Sequence, residues 1–133
     1  MSEATVGEST TLEGRRTNLR VLVENIIDPA EPSSRAPDEG NRLVAVELLI
    51  ENVGEGVYEG HPFGGALLID VDSRQHRAGP ANTPSCEGFD GRVTLVAGDT
   101  RRGCVQHQLA EGVALRSFQF KHERSVGVWR LEG

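Results

Sequence analysis

No stretch of this chain approaches the ~20 consecutive apolar residues that a membrane-spanning helix requires, so no membrane span is expected. The start, Met1-Ser2-Glu3-Ala4, has neither the basic nor the apolar region of a signal peptide. Two expectations follow: a cytosolic protein, or an exported domain written without its export signal or lipid anchor, Met1 then being a cloning start. Basic charge is scarce as well. Fourteen Lys and Arg face 20 Asp and Glu, for a formal charge of −6. A phosphate backbone needs a basic surface, so nucleic acid is not an expected partner. Arg15-Arg16 and Arg101-Arg102 are isolated basic pairs, read as solvated positions at strand ends.

Chemical signatures are missing too. Gly60-His61-Pro62-Phe63-Gly64-Gly65 lacks the Lys-Ser/Thr and following helix of a phosphate-cradling loop, and reads as a bend between sheets. There is no CxxC spacing for zinc. His61, His76, His107 and His122 are scattered over four segments. Glu47 and Glu51 would lie ~13 Å apart along a strand, beyond glycosidase spacing. No cofactor is implied.

What is present is alternation. Val44, Val46, Leu48 and Ile50 form one face of the strongest expected strand, residues 41–52, and are assigned to the core. Residues 17–27 place Leu19, Val21 and Val23 on one face, with Arg20 and Glu24 on the other. Further strands are expected at 10–13, 65–71, 74–77, 92–96, 100–109, 115–121 and 125–131. Residues 28–40, with three prolines, and 78–91 read as loops. No segment has a convincing helical rhythm, and 16 glycines punctuate the chain. Seven to nine short strands with frequent turns predict an all-β, immunoglobulin-like antiparallel sandwich. It is placed at residues 10–133, after a weakly ordered or disordered start at 1–9, and 133 residues suffice for one such core.

The order of three segments resembles a family of bacterial extracytoplasmic domains of unknown function. These are often carried on lipoproteins and are related to a secreted mycobacterial immunoprotective antigen. The segments are NRLVAVELLIENVG (41–54), LIDVDSRQH (68–76) and LVAGDTRRGCVQHQLAEG (95–112). Ser73 stands where the family has a turn glycine, His107 where an aromatic is common, and Ala97 where Pro is usual. The resemblance implies the immunoglobulin-like fold and no particular activity.

Cys86 and Cys104, 18 positions apart, could be a disulfide, a metal pair or separate thiols; the disulfide is the expectation, because small exported domains use cysteine this way. Its sulfur at 104 should leave the outer face of its strand, opposite in phase to Val105 and Leu109. A catalytic Cys104–His107 pair is rejected, since strand positions three apart face opposite ways. His107 is instead an inward, hydrogen-bonded residue. Asp70 and Asp72 share a strand face ~6.6 Å apart. They are the weak metal candidates, but calcium wants six to eight oxygens, and a solvated strand end is the simpler reading. The candidate binding residues are His61, Phe63, Arg77 and Glu87 in loops.

The expected function is therefore a noncatalytic extracytoplasmic binding module for an unknown protein or cell-envelope ligand, with the oligomeric state open. The alternatives are a small hydrolase or metal-dependent enzyme built across loops, and a structural accessory domain of an envelope assembly.

Overall fold

The computed structural model describes residues 3–33, 35–81, 83–89 and 91–131. In chain order the strands are β1 (Ala4–Thr5), β2 (Ser9–Glu13), β3 (Asn18–Ala30), β4 (Asn41–Asn52), β5 (Tyr58–Gly60), β6 (Ala66–Asp70), β7 (Gln75–Pro80), β8 (Val93–Leu95), β9 (Thr100–Ala110), β10 (Leu115–His122) and β11 (Ser125–Arg130). One 3₁₀ turn, Pro62–Gly65, precedes β6.

Period-two burial builds the core. Val44, Val46, Leu48 and Ile50 of β4 are wholly buried, as are Leu19, Val21 and Val23 of β3. A bulge then admits Glu24 between the pairs Val23↔Leu48 and Asn25↔Glu47, which reverses the phase of β3. Ile26 consequently packs on the main core, and Ile27 on the opposite face with Ala30, Leu43 and Ala45.

The strands form two packed sheets with one strand in common. The first runs β1-β11-β10-β6-β7 and the second β7-β9-β4-β3-β2. Residues 75–77 of β7 pair with β6, and residues 78–80 pair with β9. Such a corner strand is how one sheet bends into another. Among the described residues, the named strands pair antiparallel except β1 with β11, where Ala4 lies beside Trp129. A short β5–β8 ribbon adds the buried Val93 and Leu95 to the same core as Trp129, Phe118 and Phe120. The fold is an immunoglobulin-like β-sandwich, as its alternation predicts.

The differences from expectation are local. β1 and β5, two and three residues long, carry no periodicity to read. β1 puts Ala4 and Thr5 of the start on a sheet edge, while Met1 and Ser2 lie outside the described residues. β3 runs on through Asp28 and Pro29 to Ala30, whose partner is Leu43. No helix among the described residues is long and apolar enough to cross a membrane.

Candidate functional site

Cys86 and Cys104 are joined in a disulfide, with Cα atoms 6.0 Å apart. Cys104 lies opposite Glu47 on the outer face of the second sheet, while Val105 and Leu109 point into the core. The loop bearing Cys86 crosses that face. It is also tied by a bond from the Cys104 N–H to the Glu87 carbonyl, 2.9 Å. Phe89 anchors it further: a Cβ on Gly103 would lie 2.9 Å from the Phe89 ring, so glycine there makes room for the aromatic. Glu47 and the two sulfurs lie within 4.8 Å of one another. With the sulfurs bonded to each other, that trio offers a metal one carboxylate only.

Asp70 is not a solvated strand end. It is buried, and its Oδ1 accepts the Asp72 and Arg74 N–H groups at 2.8 and 3.0 Å, while Oδ2 meets His76 Nε2 at 2.8 Å. The bond from His76, then those from the Arg74 and Asp72 amides, hold its carboxyl below the ordinary carboxylate value. Asp72 is exposed and lies in the turn rather than on β6, so the two carboxylates do not form a pair. The carboxylate that alternation reads as solvent-facing instead organises the β6–β7 turn.

His107 is buried. Its Nδ1–H donates to the His76 carbonyl at 2.9 Å, and its ring meets Phe118 edge-on at 6.0 Å. Nε2 is buried with no hydrogen-bond partner among the described residues. Burial depresses its pKa to about 4, so the ring is neutral at physiological pH.

Of the loop residues expected to bind, His61 and Phe63 flank Pro62 with rings 5.5 Å apart; His61 is exposed and Phe63 packs against the core. Their turn packs on β7, the strand that carries the exposed Arg77. Glu87 lies apart on the disulfide loop, where its carbonyl is occupied by Cys104.

A different set of residues converges at one end of the sandwich. The β2–β3 turn (14–17) meets the β10–β11 turn (123–124), with β5 alongside. Glu13, Gly14, Arg15, Glu123 and Arg124 line a hollow of 460 Å³. It continues into a groove of 740 Å³ lined by Arg15, Arg16, Thr17, Tyr58, His122 and Glu123, among others.

Local chemistry fixes these walls. A Cβ on Gly14 would lie 2.6 Å from the Thr17 carbonyl and closer still to Glu123 Oε2, so only glycine lets the turns close. Glu123 holds a left-handed φ of 55° and accepts the Arg15 N–H with both carboxylate oxygens at 3.1 Å. The Arg16 carbonyl accepts the Gly56 N–H at 2.9 Å. His122 Nε2 lies 2.9 Å from Thr17 Oγ1, 3.0 Å from the Thr17 carbonyl and 3.5 Å from Glu123 Oε2. The carbonyl can only accept, so Nε2 carries the proton. Hydroxyl and carboxylate thus meet the same protonated nitrogen, which is not the relay of a hydrolytic triad. The Tyr58 ring packs edge-on against His122 at 5.8 Å, and burial pushes its phenol above the ordinary value, keeping it a donor.

Sequence reading names none of these groove residues as a site. Arg15-Arg16 was the visible signal, but Arg124 is over a hundred positions away and only the fold brings it near.

The fold is shared with proteins of distant sequence. A secreted protein of Mycobacterium tuberculosis, MPT63, superposes with a TM-score of 0.72 at 12% identity, over 97% of this chain and 96% of its own. A candidate lipoprotein of Bacillus subtilis gives 0.67 at 12% identity; it covers 98% of this chain, which spans 39% of its length. An uncharacterized β-sandwich protein of Clostridium difficile gives 0.59 at 9% identity, over 98% and 93% of the two chains. No family model and no curated protein sequence matches the chain. The resemblance seen in the strand order is therefore borne out as a common β-sandwich fold with secreted and uncharacterized proteins.

Proposed function

We propose that this protein is a noncatalytic binding module that works outside the cytoplasm and recognises its ligand in the groove between the 14–17 and 123–124 turns. The observation that carries the reading is the convergence of those turns. They hold Arg15, Arg16 and Arg124 beside Glu13 and Glu123 around an open groove, on backbones already fixed by hydrogen bonds. Pre-set walls reduce the ordering cost of binding. The buried disulfide and the fold shared with a secreted protein support the compartment.

The experiment is a fragment screen read by amide chemical shifts on the ¹⁵N-labelled protein. Shifts grouped on Gly14, Arg15, Thr17 and Glu123 are expected. Shifts grouped instead on His61, Phe63, Arg77 and Glu87 would move the site to the loops picked out by sequence. An esterase or glycosidase activity abolished by His122→Ala would overturn the noncatalytic reading.

A further inference from the structure

We propose that the outer face of the first sheet docks on an anionic lipid surface, with Arg77, Lys121 and Arg130 meeting headgroup phosphates around an aliphatic centre. The register places these residues. Trp129, Phe118 and Leu68 lie in one row across β11, β10 and β6 and point into the core, so their strand neighbours point outward. One outward row reads Val128, Gln119, Leu67, Arg77 across the four strands from β11 to β7. On one side of it Lys121 stands beside Val126, and on the other Arg130 stands beside Ser117. The remaining outward positions of β6 and β7, Ile69 and Gln75, are uncharged. Among the described residues the face therefore holds three cations and no carboxylate. All three cations are exposed, and none joins the ion pairs of the described residues. Glu3 stands at the edge, just before β1, and the turns at the two ends place Asp72 beside Arg74 and Glu123 beside Arg124.

The second sheet is the contrast. Its outer face carries Glu13, Glu24, Glu47 and Glu51 against Arg20 and Arg102, and both arginines are already paired, with Glu51 and Glu24. The formal charge of −6 is thus unevenly spread. Packed sheets stand about 10 Å apart, roughly one Debye length at physiological salt. A surface touching the first sheet meets its cations and is screened from the carboxylates behind.

Spacing selects the kind of anion. Strand and residue repeats put the three cations roughly 12–16 Å apart, too far for one phosphate or carboxylate to bridge. An acidic protein would have to match that triangle, whereas a fluid lipid surface presents phosphates in one plane and adjusts to it. Between the cations, Leu67 and Val128 are half-buried and Val126 is 38% exposed. Such short aliphatics rest at the headgroup boundary without reaching deep, so the attraction is chiefly electrostatic and reversible. This face is separate from the groove and leaves it open.

The test is co-sedimentation of the disulfide-intact protein with vesicles at near-physiological salt. One set is phosphatidylcholine alone, and the other is phosphatidylcholine mixed with phosphatidylglycerol. Binding is expected to the mixed vesicles only, and high salt should release it. Lys121→Gln should weaken it about fivefold, and the Arg77→Gln/Lys121→Gln/Arg130→Gln triple variant by more than about tenfold. Both should melt like the parent, because these side chains are exposed and unpaired. Val126→Ser should weaken binding by a smaller factor that salt does not change. Arg15→Ala, in the groove, should bind vesicles as the parent does, so the two surfaces are tested separately. No binding to the mixed vesicles, or unchanged binding by the triple variant, overturns the proposal. A dimer in sedimentation velocity that the triple variant abolishes, without vesicle binding by the parent, would assign the face to a second copy and overturn the lipid reading. Poly-L-glutamate bound as tightly as the mixed vesicles, and indifferent to Val126→Ser, would assign an acidic polypeptide and overturn it as well.

Discussion

The two sheets meet on two sides, and the sides are closed differently. On one, β7 belongs to both sheets, so main-chain ladders run unbroken around the corner. Polar side chains there are drawn inward and occupied: Asp70 caps its turn and holds His76, and the carbonyl of His76 takes His107. On the other side β2 and the β1–β11 pair lie at separate sheet edges, and side chains span the seam. Ser125 Oγ donates to the Glu13 carbonyl at 2.6 Å, Trp129 Nε1 to the Glu8 carbonyl at 2.9 Å, and His122 meets Thr17. A ladder fills its own space with regular bonds. Side-chain bridges leave gaps between them, and the groove opens at the end of that seam.

The contrast can be broken most severely at Trp129, which is fully buried and also bridges the seam. Trp129→Ala should cost about 3–5 kcal/mol in denaturant unfolding, as large buried aromatics do. Trp129→Phe keeps most of the ring contact and loses the indole donor, so it should cost clearly less. Equal losses would mean that the bridge, not the ring, dominates.

On the β7 side the sharpest test is pH. The folded state holds His107 neutral down to about 4, whereas an unfolded imidazole binds its proton near 6.5. Between those values the unfolded chain binds more protons, so stability falls as pH is lowered, by about 3 kcal/mol across the window. Asp70 acts lower still: its contribution is present above the ordinary carboxylate value and is lost as pH falls through its depressed one. Urea unfolding at stepped pH should therefore show His107 weakening the fold first. His107→Gln should flatten the slope between pH 6.5 and 4, and an unchanged slope would place the titration elsewhere.

The disulfide holds the loop that leaves β7. Replacing both cysteines by serine should cost about 3 kcal/mol in the loop-entropy account, with amide exchange rising in residues 83–89 and unaltered at the groove. A smaller change is expected at the seam: Ser125→Ala removes one bridge and should cost about 1 kcal/mol. Smallest of all, Arg15→Ala and Arg124→Ala should shift stability by no more than about 0.5 kcal/mol, because neither side chain holds the fold together.

Much of the architecture was legible because it is written at period two. The inward face of β4 and the outward sulfur of Cys104 follow from alternation alone, and His107 follows from sharing its face with Val105 and Leu109. Alternation fails where a bulge shifts the phase, as at Glu24, and where two or three residues form a strand only because a neighbour supplies the pairing, as at Ala4 and Tyr58. It also misplaced Asp70, because the burial of that carboxylate depends on the turn amides and on His76 reaching it. The groove was illegible for a plainer reason: its two walls come from opposite ends of the chain, and no local pattern links Arg15 to Arg124.

The parallel pairing of β1 with β11, Ala4 beside Trp129 and Thr5 beside Arg130, has a mechanical consequence. Tension on the two ends of the chain pulls β1 backward along its own axis and β11 forward along the same axis. The pair is therefore loaded in shear, with its hydrogen bonds strained together instead of peeled one after another. The indole bond to Glu8 lies just behind this contact and shares the load. A stretched molecule should resist first at this two-residue clamp, and its rupture would expose the seam before the β7 corner yields.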